Sequence, residues 1–236
     1  MITLGIDLAS QPENTAVCSI EWTASVATVR QIKLSCTDAC LDEMISKADA
    51  VGIDAPLGWP VAFTAAVADW SHAEWTKDLR DQMRFRLTDF KVRELHGKWP
   101  LSVSTNLIAI TAMRAMSLLQ RHQVTDRSGC SEPFFEVYPA ASLKAWGFQS
   151  QGYKGSKGTA PQSRANILDS ILSAMPWLKC ADLCAKDDNL LDALVAALTT
   201  HQAFQKETLR PTTEELPTAA KEGWIHLPSA LPKHPV

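Results

Sequence analysis

The tripeptide Gly-Ile-Asp closes two separate apolar runs of this sequence, and this repeat constrains the fold more than any other feature. Residues 2–7 and 50–54 are rich in apolar and β-branched side chains, and each run ends in an aspartate just before a turn. Runs that are apolar on both faces are typical of buried parallel strands. As parallel neighbours, the two strands place Asp7 and Asp54 side by side at the carboxyl end of a sheet, where open α/β sheets bind ligands.

The pattern around these runs predicts the element order β-β-β-α-β-(insertion)-α-β-α-α-α. Residues 16–22 and 26–34 alternate apolar and polar side chains, as antiparallel strands do, and residues 134–138 predict a fifth strand. Three antiparallel strands followed by βα crossovers give an α/β fold, with a mixed five-stranded sheet, parallel later strands and helices on both faces. This arrangement is that of the ribonuclease H-like fold.

Length permits one large or two small domains, and we predict a single ribonuclease H-like domain over residues 1–236. A helical insertion over about 59–103 interrupts the pattern and holds four of the eight tryptophans. The glycine-rich stretch 147–158 is predicted to be a mobile loop. Five of the thirteen prolines follow residue 210, and they predict an extended C-terminal tail over about 210–236.

Charge and hydropathy argue against several classes of protein. The net charge of −3 does not indicate a nucleic-acid-binding protein as a whole, although a local basic face is compatible with it. The longest apolar run, 193–198, is far shorter than the roughly 20 residues of a membrane helix. The first residues lack the basic-then-apolar order of a signal peptide. We therefore predict a cytoplasmic protein without a membrane partner.

The six cysteines predict scattered reduced thiols. Cys36 and Cys40, like Cys180 and Cys184, form a CxxxC pair, and the sequence contains no CxxC. The alternative is one zinc site with four cysteine ligands, although structural zinc usually has tighter ligand spacing.

Other acidic residues are predicted near the same sheet edge. Glu136 lies near the end of the fifth predicted strand, and Asp188 and Asp192 are one turn apart on a predicted helix. Two carboxylates about 4 Å apart repel by about 4 kcal/mol at an effective dielectric of about 20, so a converging cluster needs a cation or takes up protons. Oxygen ligands suit Mg²⁺ or Mn²⁺, and two such ions suit phosphodiester cleavage. The predicted metal ligands are Asp7, Asp54, Asp188 and Asp192, and the predicted catalytic residues are these four with Glu136.

Each acid also has a structural interpretation. Asp187 or Asp188 would serve as the N-cap of the helix that follows. Asp7 and Asp54 would close their turns through side-chain hydrogen bonds. Glu136 would pair with an arginine of the insertion.

Residues 77–98 combine seven Lys or Arg with four acids and interleaved aromatic rings. Positive charge beside aromatic rings is typical of a groove that binds single-stranded nucleic acid. The alternative is an amphipathic surface helix with internal ion pairs. The predicted substrate-binding residues form two phosphate clamps, with Arg86, Asp89 and Arg93 on one helical face and Lys154, Lys157 and Arg164 in the second.

Five motifs also carry a resemblance to a known family: Gly5-Ile6-Asp7-Leu8-Ala9, Gly52-Ile53-Asp54-Ala55-Pro56-Leu57-Gly58, Arg86-x-Thr88-Asp89-x3-Arg93, Glu136-Val137-Tyr138-Pro139-Ala140 and Asp188-Asn189-Leu190-Leu191-Asp192-Ala193-Leu194-x-Ala196-Ala197. Through them the chain resembles the domain of unknown function 429 family, predicted nucleases of the ribonuclease H-like superfamily. The resemblance implies metal-dependent phosphodiester hydrolysis. The last motif also resembles the closing helix of Holliday-junction resolvases, in which two acids spaced DxxD precede Ala-Leu-x-x-Ala, but Asn189 replaces the first acid here.

Three hypotheses of function follow. The first is a hydrolase, a Mg²⁺- or Mn²⁺-dependent nuclease that cleaves nucleic acid by a two-metal mechanism. The second is a nucleotide-binding phosphotransferase of the actin and sugar-kinase type, which usually needs two such domains and a Gly-Thr/Ser phosphate turn, whereas Asp7 is followed by Leu8-Ala9-Ser10. The third is a non-catalytic binding module that uses the tryptophan-rich insertion to bind a protein partner.

Overall fold

The computed structural model describes residues 1–233 and contains six strands. They are β1 (Ile2–Asp7), β2 (Ala16–Trp22), β3 (Ala27–Leu34), β4 (Ala50–Asp54), β5 (Phe134–Glu136) and β6 (Leu178–Lys179). The chain divides into two compact units. The first comprises Met1–Asp54, Val137–Leu209 and the residues from His226 onwards, and the second comprises Ala55–Glu136 and Arg210–Ile225.

In the first unit, five strands form a mixed sheet in the order β4-β1-β2-β3-β6. β1, β2 and β3 pair antiparallel, β4 is parallel to β1, and β6 is parallel to β3. Three antiparallel strands followed by parallel ones confirm the ribonuclease H-like prediction. The prediction missed β6, because two residues are too short to show a periodic pattern.

Nine α-helices lie in the described residues: α1 (Asp38–Ile45), α2 (Val61–Ala68), α3 (Lys77–Arg84), α4 (Leu87–His96), α5 (Ile108–Arg121), α6 (Pro139–Ala145), α7 (Ala160–Ala174), α8 (Asp188–Phe204) and α9 (Leu216–Glu222). Within residues 1–233, none of them is both long and apolar enough to cross a membrane.

Helix α8 packs across β1, β2 and β4 and forms the centre of the first unit. Its residues Leu194 and Leu198 are fully buried, and they join one hydrophobic core with side chains of β2, α6 and α7. Close packing depends on glycine: a Cβ atom at Gly5 would collide with the α8 backbone, and one at Gly52 would collide with Thr200. The two glycines therefore let α8 approach the sheet where β1 and β4 end.

The second unit contains β5 and helices α2 to α5 and α9. It includes the predicted insertion of about 59–103, but it extends to Glu136 and adds residues 210–225. The prediction of an extended tail over 210–236 missed α9. Pro217 lies in the first turn of that helix, where the missing N–H of proline has no helical partner to lose. Residues 234–236 of the predicted tail lie outside the described residues.

Candidate metal centre

Asp7, Asp54 and Asp192 converge at the carboxyl end of the β1–β4 pair. Asp7 lies directly opposite Asp54 in the parallel register. Asp192 lies in the second turn of α8. This helix packs close to the sheet because Gly5 and Gly52 have no Cβ atoms to collide with it. One carboxylate oxygen from each of the three residues lies within 4.8 Å of the other two. This geometry would allow all three to bind a single cation.

The electrostatics of this cluster favour a bound cation or a retained proton. Burial raises the pKa of Asp7 well above its ordinary value, and the negative charge of Asp54 raises it further. The charge of Lys154 lowers this pKa, and it only partly offsets the two other effects. The Asp192 side chain is almost fully buried, at 1% exposure. An unpaired charge is costly in such surroundings.

A phenol and an ammonium group bind the two oxygens of Asp192. The Tyr153 hydroxyl donates to Oδ1 at 2.8 Å, and the Lys154 ammonium forms an ion pair with Oδ2. Burial and the charges of Asp54 and Asp7 raise the pKa of Tyr153. The phenol therefore stays protonated near neutral pH and remains a hydrogen-bond donor.

Arg164 holds the loop that carries Tyr153 and Lys154. Its Nη1 donates to the carbonyl oxygens of Tyr153 at 2.8 Å and Gly155 at 2.6 Å, and its Nε donates to that of Ala185 at 3.2 Å. The guanidinium is buried and bound to backbone oxygens, which corrects the prediction that it clamps a phosphate. Lys157 is exposed on the same loop and, within residues 1–233, forms no ion pair with the three aspartates.

The acids at the start of α8 have separate roles. Asp187 caps the helix, because its side chain accepts the backbone N–H of Asn189 at 2.9 Å. Asp188 lies in the first turn and outside the three-aspartate cluster. Its negative charge nevertheless contributes to the raised pKa of Asp7, which places it in the electrostatic surroundings of the cluster.

Glu136 belongs to a different set of contacts, in the second unit. Its two carboxylate oxygens accept from Nη1 and Nη2 of Arg86, each at 2.7 Å, and Oε2 also accepts the Leu57 N–H at 2.9 Å. Both side chains are buried, at 3% and 2% exposure. The structure therefore favours the structural interpretation, an arginine partner from the insertion, over a catalytic role for Glu136.

Arg86 and Asp89 likewise form part of that buried set. The Asp89 carboxylate accepts from the Arg86 guanidinium and from the Arg86 backbone N–H, and it thereby caps α4. Arg93 donates to the carbonyl of Gly97 at the other end of the helix. The predicted phosphate-binding face is thus corrected, because two of its three members are buried and bound to each other.

Tyr153 is a site residue that no motif in the sequence predicts. It is one of two tyrosines in the chain, and it lies between glycines in a polar loop. A large aromatic residue in a loop of polar residues and glycines indicates a side chain that packs into the core. Tyr153 does so, with 1% of its surface exposed.

The cysteines form no zinc site in the described part of the chain. Within residues 1–233, none of the six is part of a disulfide bond. Cys18 lies against Cys184 in the core, and a hydrogen bond between them together with burial raises the pKa of Cys18. Among residues 1–233, the side chains placed to hold a metal ion are the three aspartates.

Comparison with known proteins gives a family and two solved structures. RuvC from Thermus thermophilus in complex with Holliday junction substrate is 12% identical, with a TM-score of 0.42 over 87% of this chain and 96% of that chain. A second structure of Thermus thermophilus RuvC is 14% identical, with a TM-score of 0.41 and the same coverage. No curated protein matches the sequence. The profile of the family described as "Protein of unknown function (DUF429)" matches residues 5–216, and the chain therefore belongs to the DUF429 family.

Proposed function

We propose that this protein is a metal-dependent nuclease that hydrolyses phosphodiester bonds with a divalent cation held by Asp7, Asp54 and Asp192. The observation that carries the proposal is the convergence of three carboxylates within 4.8 Å. Lys154 pairs with Asp192 and offsets part of the negative charge at Asp7, and its side chain is half-exposed. A divalent cation would neutralise the cluster far better than that one ammonium group does.

The donor set fits Mg²⁺ or Mn²⁺. Its members are all carboxylate oxygens, which these hard cations prefer over nitrogen or sulfur ligands. Asp54 keeps part of its surface in solvent, so a substrate can reach the cluster from that side. A second ion, as the two-metal mechanism requires, would draw on Asp188 in the first turn of α8.

The residues of the chain prepare the site for this chemistry. A divalent cation supplies Lewis-acid stabilisation of the negative charge that develops on the phosphoryl group. Tyr153 orients the Asp192 carboxylate through its hydroxyl, and Arg164 holds the backbone at Tyr153. Asp7 must be ionised to act as a ligand, so its raised pKa makes cation binding compete with protonation.

We propose nucleic acid as the substrate, on the basis of a basic cavity in the second unit. The cavity has a volume of about 290 Å³ and is lined by Lys77, Arg84 and Trp99 among others. Arg80 and Asp81 also line it and form an ion pair, so Lys77 and Arg84 supply its excess positive charge. Arg84 lies 4.9 Å from the centroid of the Phe85 ring, and Phe85 stacks on Trp99 at 3.9 Å between centroids. Cations beside aromatic rings bind the phosphates and bases of single strands.

A non-catalytic binding module is the second candidate function. Trp70 and Trp75 are 59% and 64% exposed in the second unit, and exposed tryptophans are typical of protein interfaces. This candidate predicts no requirement for a divalent cation, which separates it from the nuclease.

Calorimetric titration with Mn²⁺ tests the proposal on the wild type and on Asp7→Asn and Asp192→Asn. We expect the wild type to bind and both variants to lose binding, because each removes a charged ligand. The matched control is Asp169→Asn, an exposed acid of α7 in the same unit, which should bind as the wild type does. Equal binding by all four proteins would exclude this metal site and favour the binding module.

Cleavage of labelled single-stranded and structured DNA and RNA, with Mn²⁺ or with EDTA, then tests the reaction itself. Cleavage that requires Mn²⁺ and is lost in Asp192→Asn supports the nuclease. Cation binding without cleavage of any of these substrates would argue against it.

A further inference from the structure

Lys154 occupies the position that a cation would take at Asp192. Its ammonium group contacts Oδ2 of Asp192, while the side chain as a whole remains 54% exposed. The Asp192 side chain is 1% exposed, and its other oxygen already accepts the Tyr153 hydroxyl. Both oxygens of this aspartate are thus engaged, one by a fixed donor and one by a half-exposed cation.

The backbone on both sides of Lys154 is fixed, whereas its side chain reaches solvent. Arg164 binds the carbonyl oxygens of Tyr153 and Gly155, the two residues that flank Lys154. Gly152 and Gly155 adopt positive φ values of 75° and 84°, a backbone conformation that glycine adopts readily and other residues rarely do. The ammonium group can therefore leave Asp192 by side-chain rotation, without release of the loop.

We propose that Lys154 is an exchangeable resident cation: a divalent ion displaces its ammonium group from Asp192, and the released group then binds a phosphate of the substrate. This inference rests on the proposed function, because it concerns the same three aspartates. A divalent ion and an ammonium group repel each other at one carboxylate, so binding of the ion drives the lysine outward. The fixed backbone keeps the released charge at the mouth of the site, where a phosphodiester anion would meet it.

The reactivity of the lysine amine tests the exchange directly. The wild-type protein is acylated with an N-hydroxysuccinimide ester in EDTA and in Mn²⁺, and labelling of each lysine is measured by mass spectrometry. We expect the labelling of Lys154 to rise about 3- to 10-fold in Mn²⁺, because the amine leaves its ion pair. Lys157, exposed on the same loop, is the internal control and should not change.

Metal affinity gives the second measurement. Lys154→Ala should bind Mn²⁺ about 3- to 10-fold more tightly than the wild type, because the ion no longer has to displace an ammonium group. Lys157→Ala removes the same charge from the same loop and so controls for long-range electrostatics. It should change the affinity less than 2-fold. Circular dichroism shows whether each variant keeps the fold.

The outcomes distinguish this inference from the proposed function. If the wild type binds Mn²⁺ but Lys154→Ala binds no more tightly than Lys157→Ala, and the labelling of Lys154 is unchanged, the exchange is wrong and the metal site stands. If neither the wild type nor Lys154→Ala binds Mn²⁺, the proposed function fails and the exchange fails with it.

Discussion

The two units each contain a cluster of acidic side chains, and the clusters are neutralised in opposite ways. In the second unit, Asp89 and Glu136 surround the guanidinium of Arg86, and all three are buried. In the first unit, Asp7, Asp54 and Asp192 receive one half-exposed ammonium group from a loop. The guanidinium of Arg86 pairs with both carboxylates of its cluster and is buried between them. The aspartate cluster is paired instead with a lysine whose side chain is 54% exposed, and that difference separates a structural site from a candidate functional one.

The Arg86 cluster uses all five guanidinium donors of its arginine. The guanidinium donates to both oxygens of Asp89, to both of Glu136 and to the backbone carbonyl of Glu222. The Glu222 carboxylate in turn accepts the backbone N–H of Val61 and that of Leu87, each at 2.7 Å. Burial still raises the pKa of Glu136 despite its arginine partner. The network therefore stabilises the second unit only while it is complete.

Removal of Arg86 should have the largest effect on stability. Arg86→Met leaves two buried carboxylates without their cation, which typically costs about 3–5 kcal/mol. We expect a correspondingly large fall in the free energy of unfolding in urea. Arg93→Ala, which removes an exposed arginine of α4, should cost less than about 1 kcal/mol. If Arg86→Met lowers the free energy of unfolding by less than about 1 kcal/mol, the buried carboxylates do not depend on Arg86, and the contrast between the two clusters fails.

Removal of one charge from the aspartate cluster of the first unit should instead increase the free energy of unfolding. Asp7→Asn removes a charge that burial and Asp54 disfavour, so we expect it to stabilise the metal-free protein by about 1 kcal/mol. The measurement is urea unfolding in EDTA, with Asp169→Asn as the control. Destabilisation of more than about 1 kcal/mol would show that the Asp7 carboxylate has a structural role.

The pH dependence should follow the raised pKa of Asp7. Ionised Asp7 is disfavoured in the metal-free folded state, so its contribution to stability is greatest at low pH and is lost as pH rises through its raised pKa. Mn²⁺ binds the ionised form, so the increase in Tm on adding Mn²⁺ should grow from about pH 4 to about pH 8. The advantage of Asp7→Asn in EDTA should grow over the same range. An increase in Tm that is constant with pH would contradict this assignment.

Loss of the Tyr153 hydroxyl should have a smaller effect. Tyr153→Phe removes the hydrogen bond to Asp192, which is worth about 1 kcal/mol, and it leaves the ring packing intact. We expect Mn²⁺ affinity to fall several-fold, because Asp192 loses its fixed orientation. Unchanged affinity in calorimetry would show that the phenol does not position this ligand.

The smallest expected effect concerns the cations that line the cavity of the second unit, in contrast to its buried Arg86. Arg84→Ala should weaken binding of a short single-stranded oligonucleotide several-fold in EDTA. It should also make the slope of log K against log salt shallower by about 0.7, since one phosphate contact is lost. Asp192→Asn should leave both quantities unchanged. Fluorescence anisotropy measures both, and an Arg84→Ala variant that binds like the wild type would exclude this cavity as the strand-binding surface.

The sequence predicted the fold and the three aspartates of the candidate site for local reasons. The repeated Gly-Ile-Asp places Asp7 and Asp54 at equivalent strand ends, and helical spacing places Asp192 beside the sheet. These relations depend on strand and helix periodicity, which short stretches of sequence contain.

The remaining roles depend on contacts between distant residues. Glu136 pairs with Arg86, 50 residues earlier, and Tyr153 reaches Asp192 across 39 residues. Arg164 is of a residue type that usually lies on the surface. Here it is buried and donates to three backbone carbonyl oxygens, which gives it a structural role. No local pattern distinguishes a buried arginine from an exposed one, so sequence reasoning assigned Arg86 and Arg164 to phosphate binding.

A crystal structure of the protein grown with Mn²⁺, with anomalous diffraction to locate the ion, tests the central claim most directly. The account predicts an anomalous peak ligated by oxygens of Asp7, Asp54 and Asp192, with the Lys154 ammonium group moved away from Asp192. Absence of a peak between these aspartates at saturating Mn²⁺, with Lys154 still paired to Asp192, would contradict it.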